Sequence, residues 1–170
     1  PGTVETLRVV REKLIGMDPR DIEGINAVMN RAVAYAGTAK AAVDIACHDI
    51  LGKAAGLPLY KLLGGLSNTI ETDMTVGIDT PELMAAAAKE HVAAGFRVIK
   101  TKVGTNIADD IARVKAIREA VGDDVKIRLD ANQGWHAREA VELLKRLNEY
   151  DIELVEQPVR RFDFEGLKYV

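Results

Sequence analysis

Cysteine occurs once in the 170 residues, at Cys47, so no disulfide can form within the chain. That fits a reducing compartment, and the expected location is the cytoplasm. The opening residues, Pro1-Gly2-Thr3-Val4-Glu5, lack a basic region followed by an apolar one, so no signal peptide is visible. No apolar run is long enough to span a bilayer; even Met84 to Ala94 is interrupted by Lys89, Glu90 and His91. No long basic run occurs and the formal net charge is -3, which gives no reason to expect nucleic acid as a partner. A Walker lysine loop and a Gly-x-Gly-x-x-Gly fingerprint are both absent, which removes the phosphate-binding signatures of open α/β sheets.

What is present is apolar residue at 48%, enough to bury a substantial core in one domain, or in one domain and part of another. The first third reads as helices. Thr3 is placed to cap a helix with Leu7, Val10, Leu14 and Ile15 at helical spacing, and Asp18-Pro19 marks its exit. Asp21 to Ala36 reads as a second helix, and Ala39 to about Lys53 as a third, rich in alanine. Gly56-Leu57-Pro58 ends that run, and Tyr60 to Leu63 is a short turn stopped by Gly64-Gly65.

After Leu66-Ser67-Asn68 the pattern changes to strand, helix, strand, helix. Strands are expected over Glu71 to Ile78, Arg97 to Lys102, Val125 to Asp130 and Ile152 to Glu156. Helices are expected from Thr80-Pro81 to Ala94, from Ile107 to Val121, from Ala137 to Tyr150 and from Phe164 onward. Such alternation argues for a parallel sheet with right-handed crossovers. Four similarly spaced units are half of an eight-unit barrel, although a doubly wound sheet fits the pattern alone. The expected domains are therefore residues 1-66, helical, and residues 67-170, α/β.

Three of these strands end on ionisable residues. Lys102 precedes Asp130 by 28 positions and Asp130 precedes Glu156 by 26, about one strand, one crossover helix and two loops. One rim of a parallel sheet would then gather all three, where such sheets place their active sites. Lys100 and Lys102, two apart on a strand, face the same way. Two neighbouring ammonium groups disfavour each other's charge, so one of them could serve as a base near neutral pH. Lysines at a strand end are more often simply solvated. Asp130 and Glu156 at the next two strand ends would repel unless a cation or basic group lies between them, and their hard oxygens suit magnesium or manganese. Each acid taken singly could equally be a cap or an ion-pair partner.

Val98-Ile99-Lys100-Thr101-Lys102-Val103-Gly104, Asp130-Ala131-Asn132-Gln133-Gly134-Trp135 and Glu153-Leu154-Val155-Glu156-Gln157-Pro158 together resemble the enolase superfamily, in its muconate-lactonizing subgroup. The segment Asp44 to Gly65 is similar to the last helices of that family's capping domain. The resemblance implies an α/β fold: residues 1-66 as the helical part of a capping domain, and 67-170 as the first four units of a TIM-type (β/α)8 barrel. It implies abstraction of the proton next to a carboxylate, with Mg2+, or Mn2+ in its place, stabilising an enediolate. Lys102 matches the catalytic base, Lys100 the neighbour that lowers its pKa, Asp130 and Glu156 the first two metal ligands, and Asn132 a residue supporting the metal site.

Within the subgroup, Thr72 to Ile78 followed by the Lys-Thr-Lys motif looks most like dipeptide epimerases. Muconate cycloisomerases and o-succinylbenzoate synthases share the same lysines and acids. The implied partner is a small carboxylate substrate, a dipeptide among the candidates, and the implied assembly a homo-oligomer. A third metal ligand and an opposing lysine are expected on the fifth and sixth strands, past Val170. The 170 residues are therefore expected to be an internal piece of an enzyme and to show little activity alone. A reading from another class is a non-catalytic scaffold whose lysines and acids form structural ion pairs. Cys47 is expected to pack, and His48 to lie on the surface. His91 and His136 have no second ligand at metal spacing. Trp135 is expected either to shield the site or simply to pack.

Overall fold

Left-handed backbone and side-chain caps decide where the helices of this chain start and stop. The computed structural model describes residues 2–170, which divide into a unit ending at Ile70 and a second unit, Glu71–Val170. The first holds α1 (Gly2–Leu14), α2 (Ile22–Ala32), α3 (Gly37–Ala55) and the single turn α4 (Leu59–Leu62). Thr3 lies inside α1 instead of capping it. Asp21 caps α2, its Oδ1 accepting from the Gly24 amide at 2.9 Å. The expected continuation to Ala36 fails at Val33, which is extended at φ -142° and ψ 127°, and Tyr35 and Ala36 follow at φ +56° and +52°. Helix α3 starts two residues earlier than expected and stops at Gly56, whose φ of +67° favours glycine.

Val10, Ile25, Met29 and Cys47 form this unit's core. The Asn26 Nδ2 donates to Asp44 Oδ1 at 2.6 Å and ties α2 to α3. Cys47 packs as expected. His48 lies at the edge of the surface, half-buried, its Nδ1 2.9 Å from the Asp44 carbonyl.

The second unit is a four-stranded parallel sheet in the order β1 (Met74–Val76), β2 (Val98–Lys102), β3 (Lys126–Asp130), β4 (Ile152–Glu156). Its crossovers are α5 (Pro81–Ala93), α6 (Ile107–Val121) and α7 (Ala137–Leu147), and α8 (Phe164–Tyr169) follows β4. Strand β1 is shorter than the expected Glu71 to Ile78: it pairs only with β2, and only over Met74 to Val76. Thr80 caps α5 with Pro81 at its first position, and Asn106 caps α6 through the Asp109 amide at 3.0 Å. Helix α7 gives way to a 3-10 turn, Asn148–Tyr150, and Asp151 at φ +48° redirects the chain into β4.

Strand periodicity separates two faces. Ile99, Thr101, Ile127 and Leu129 are all fully buried, and the apolar ones share a core with Met84, Ala88, Val114, Ile117, Ala140, Leu143 and Leu147 from the helices. Burying one Leu or Ile in this layer contributes about 1.5–3 kcal/mol. The alternate residues Lys100, Lys102, Arg128 and Asp130 share the opposite face. There Arg128 pairs with Asp73 at 3.1 Å and Glu153 at 2.5 Å, and Lys126 with Glu153 at 3.2 Å. That face is charged along its length, and Lys102, Asp130 and Glu156 stand at the carboxyl ends of their strands.

Candidate active site

The register of the sheet brings the three strand ends together. Lys102 is the partner of Asp130 across β2 and β3, and Asp130 is the partner of Glu156 across β3 and β4. Lys102 Nζ donates to Asp130 Oδ2 at 2.6 Å and to Asn132 Oδ1 at 2.8 Å. Lys100 Nζ lies 3.1 Å from the same Asp130 oxygen and also donates to Glu156 Oε2. All five candidate residues therefore meet in one hydrogen-bonded group.

Backbone geometry after β3 makes this possible. Asn132 and Gln133 adopt φ +47° and +68°, left-handed conformations that cost side-chain-bearing residues on the order of 1 kcal/mol each. Two bonds hold them there: the Asn132 amide donates to Asp130 Oδ1 at 2.9 Å, and the Gln133 amide to the Gln157 carbonyl at 2.8 Å. Asparagine tolerates this region better than most residues. The turn aims its side-chain oxygen back at Lys102.

The charges stabilise one another. Asp130 is only 1% exposed. Burial pushes its carboxyl up, but Lys102, the Asn132 amide and Lys100 outweigh that and hold it below its usual 3.8. Lys100 is raised above 10.5, first by its bond to Glu156, against the opposing pull of burial and with Asp130 adding to the rise. At Lys100 the two acids set the direction of the shift. Carboxylates interleave with the ammonium groups, and the Lys100 charge is favoured.

The donor set fits a hard divalent cation in kind: two carboxylates on neighbouring strand ends, with an amide oxygen nearby. Among the described residues no group of three or more acids, histidines or cysteines converges. Asp130 and Glu156 could thus supply two of the roughly six oxygens magnesium takes.

Trp135 does not shield the rim. It is buried in the core, and its Nε1 donates to Asp110 Oδ2 at 3.0 Å. Reading by strand ends missed Asp110, a fully buried acid in α6. Its signal was present: Asp110, Val114, Ile117 and Arg118 recur at helical spacing on the buried stripe of α6, so an acid stands where an apolar residue is expected.

A parallel α/β sheet with two lysines and two acids at its carboxyl rim defines the class. Residues 83–170 match the family described as enolase C-terminal domain-like, and the chain belongs to that family, within the enolase superfamily. Residues 3–64 match the mandelate racemase / muconate lactonizing enzyme N-terminal domain.

Among individual proteins, the chain is similar to the hydrophobic dipeptide epimerase of Enterococcus faecalis, with 57% identity over 169 residues, 99% of this chain and 48% of that protein. A crystal structure of the dipeptide epimerase from the same organism, complexed with Mg and the dipeptide L-Leu-L-Tyr, superposes with a TM-score of 0.93 and covers 99% of this chain and 48% of that one. The N-succinyl Arg/Lys racemase of Bacillus cereus superposes with a TM-score of 0.86 at 39% identity, covering 97% of this chain and 46% of that one. The chain spans about half the length of the relatives it matches.

Proposed function

We propose that this chain carries one side of the site of a magnesium-dependent epimerase that abstracts the proton α to a carboxylate, acting on a dipeptide or a related amino-acid derivative. The observation that supports it best is the shared Asp130 oxygen, 2.6 Å from Lys102 Nζ and 3.1 Å from Lys100 Nζ, with Glu156 on the far side of Lys100. Lys102, in its neutral form, takes the substrate α-proton, and Asp130 and Asn132 fix the position of its Nζ. The α-proton of a carboxylate is too weakly acidic for an unaided amine, so the enediolate dianion needs positive charge at its oxygens. Magnesium, or manganese in its place, supplies that charge when held by Asp130 and Glu156. Lys100 places a second positive charge beside them and pairs with both acids in the metal-free chain.

In this proposal residues 1-66 are the helical part of a capping domain and residues 67-170 the first four units of a (β/α)8 barrel. Similarity to epimerases and racemases on both sequence and structure supports the reaction class, and the Mg-dipeptide complex of the Enterococcus relative supports the ligand class.

The same ion pairs favour a second reading, in which the four charges are purely structural. Magnesium titration of a chain of the relatives' full length that carries these 170 residues distinguishes the two. A catalytic site predicts that magnesium shifts the amide resonances of Ala131, Asn132 and Gln157, and that Asp130→Asn removes the response. A structural ion cluster predicts no response in either protein.

A further inference from the structure

We infer that Asp110 is a positioning residue of this site: its buried carboxylate ties the loop after β2 to the loop after β3, and so fixes Lys102 against Asp130 and Asn132. The inference rests on reading Lys102 and Asp130 as the reacting edge.

The Asp110 side chain bonds to none of the five candidate residues, yet it is fully buried and every partner of its carboxylate is a donor. Its Oδ2 accepts from the Gly104 amide at 2.9 Å, the Thr105 amide at 3.2 Å and Trp135 Nε1 at 3.0 Å. Its Oδ1 accepts from Thr105 Oγ1 at 3.1 Å and Arg113 Nη1 at 3.0 Å. Gly104 and Thr105 begin the loop two residues past Lys102, and Trp135 closes the turn that contains Asn132. One carboxylate thus holds both loops, and Arg113 balances its charge.

Backbone contacts carry the link to the rim. Gly104 stands at φ +104°, where a side chain would collide with the Ala131 carbonyl, and a side chain on Gly134 would meet the Gly104 carbonyl. The two loops therefore touch main chain to main chain. Just above them the Val103 amide donates to the Asp130 carbonyl at 3.0 Å, and the Gly134 amide to the Ala131 carbonyl at 2.8 Å. If the Gly104-Thr105 segment drifts, Val103 and the end of β2 drift with it, and Lys102 loses its register against Asp130. Asparagine at 110 keeps the shape but offers an NH2 group to a cage made only of donors.

The test is amide hydrogen exchange on the metal-free 170-residue chain, comparing Asp110→Asn with the parent. Positioning predicts about tenfold or faster exchange at Gly104 and Thr105, and also at Val103 and Asn132, whose acceptors belong to Asp130; Ile99 and Leu129 amides stay protected. Emission of Trp135, the only tryptophan of the chain, should shift to the red as its loop loosens. Faster exchange confined to Gly104 and Thr105 would overturn the inference, because it would make Asp110 a local loop cap.

If Asp110→Asn fails to fold or accelerates all amides together, Trp135→Phe decides. It removes one donor, and faster exchange at Asn132 and Gly134 with Gly104 and Thr105 still protected supports the link. Unchanged exchange at Asn132 refutes it. These readouts need no metal, so a full-length chain that fails to respond to magnesium would contradict the proposed function while leaving the Asp110 result to stand or fall by itself.

Discussion

Lys100 occupies the space between the two acids proposed to hold a cation, so replacing it should strengthen metal binding. In Lys100→Met the ammonium that lies 3.1 Å from Asp130 and is bonded to Glu156 is gone, while the acids and Lys102 remain. At that separation the attraction between unit charges is about 5 kcal/mol for an effective dielectric near 20. The Glu156 side chain is 47% exposed, and solvent and salt reduce the advantage of each contact to about 1–2 kcal/mol. A divalent cation no longer has to displace that ammonium or approach its charge, so magnesium should bind about five- to thirtyfold more tightly. The assay is a magnesium titration, at fixed ionic strength, of a chain of the relatives' full length that carries these 170 residues, followed through the Asn132 amide resonance, with Lys100→Met beside the parent. Unchanged or weaker affinity in the variant would refute the idea that Asp130 and Glu156 share the cation with Lys100 between them.

Other outcomes follow from the same geometry. Arg118 donates to the carbonyls of Gly122, Val125, Tyr150 and Asp151 at 2.6–3.0 Å, so Arg118→Met leaves these acceptors stranded; it should cost about 3 kcal/mol or more in urea denaturation, and a loss under about 1 kcal/mol would contradict this role. Asp130 is held below 3.8 in the folded chain, so its stabilising contribution is complete above that pH and is lost as pH falls through its lower folded value; thermal midpoints of Asp130→Asn should fall less steeply than those of the parent below 3.8. Lys100 is raised above 10.5, so its contribution is complete below that pH and lost as pH rises through the folded value; Lys100→Met should flatten the alkaline limb, and an unchanged limb would dispute the pairing. The purified 170-residue chain should show little or no magnesium-dependent exchange of a substrate α-proton with solvent deuterium, and measurable exchange would refute this.

The rim was legible because a parallel sheet repeats. Similar spacing between Lys102, Asp130 and Glu156 is enough to place them on neighbouring strands, and the observed register pairs them directly. Helix limits were less legible where left-handed residues intervene: nothing in Val33 to Ala36 signals that Tyr35 and Ala36 leave the helical region, since neither is a glycine. The charge balance at Lys100 was less legible for a related reason. Sequence shows that Lys100 and Lys102 share a face, but only the side chains from β3 and β4 show that Asp130 and Glu156 lie between and beside them. Asp110 was legible only as an acid on an apolar stripe, and its partners became visible only where the two loops close around it.

The central claim is that Lys102 removes a proton from a carbon next to a carboxylate. Its most direct test uses a chain of the relatives' full length that carries these 170 residues, incubated with dipeptides in deuterium oxide and magnesium. The account predicts deuterium incorporation at one α-carbon, dependent on magnesium, and its loss in Lys102→Ala with the fold retained. Exchange that continues unchanged in Lys102→Ala would remove Lys102 as the base.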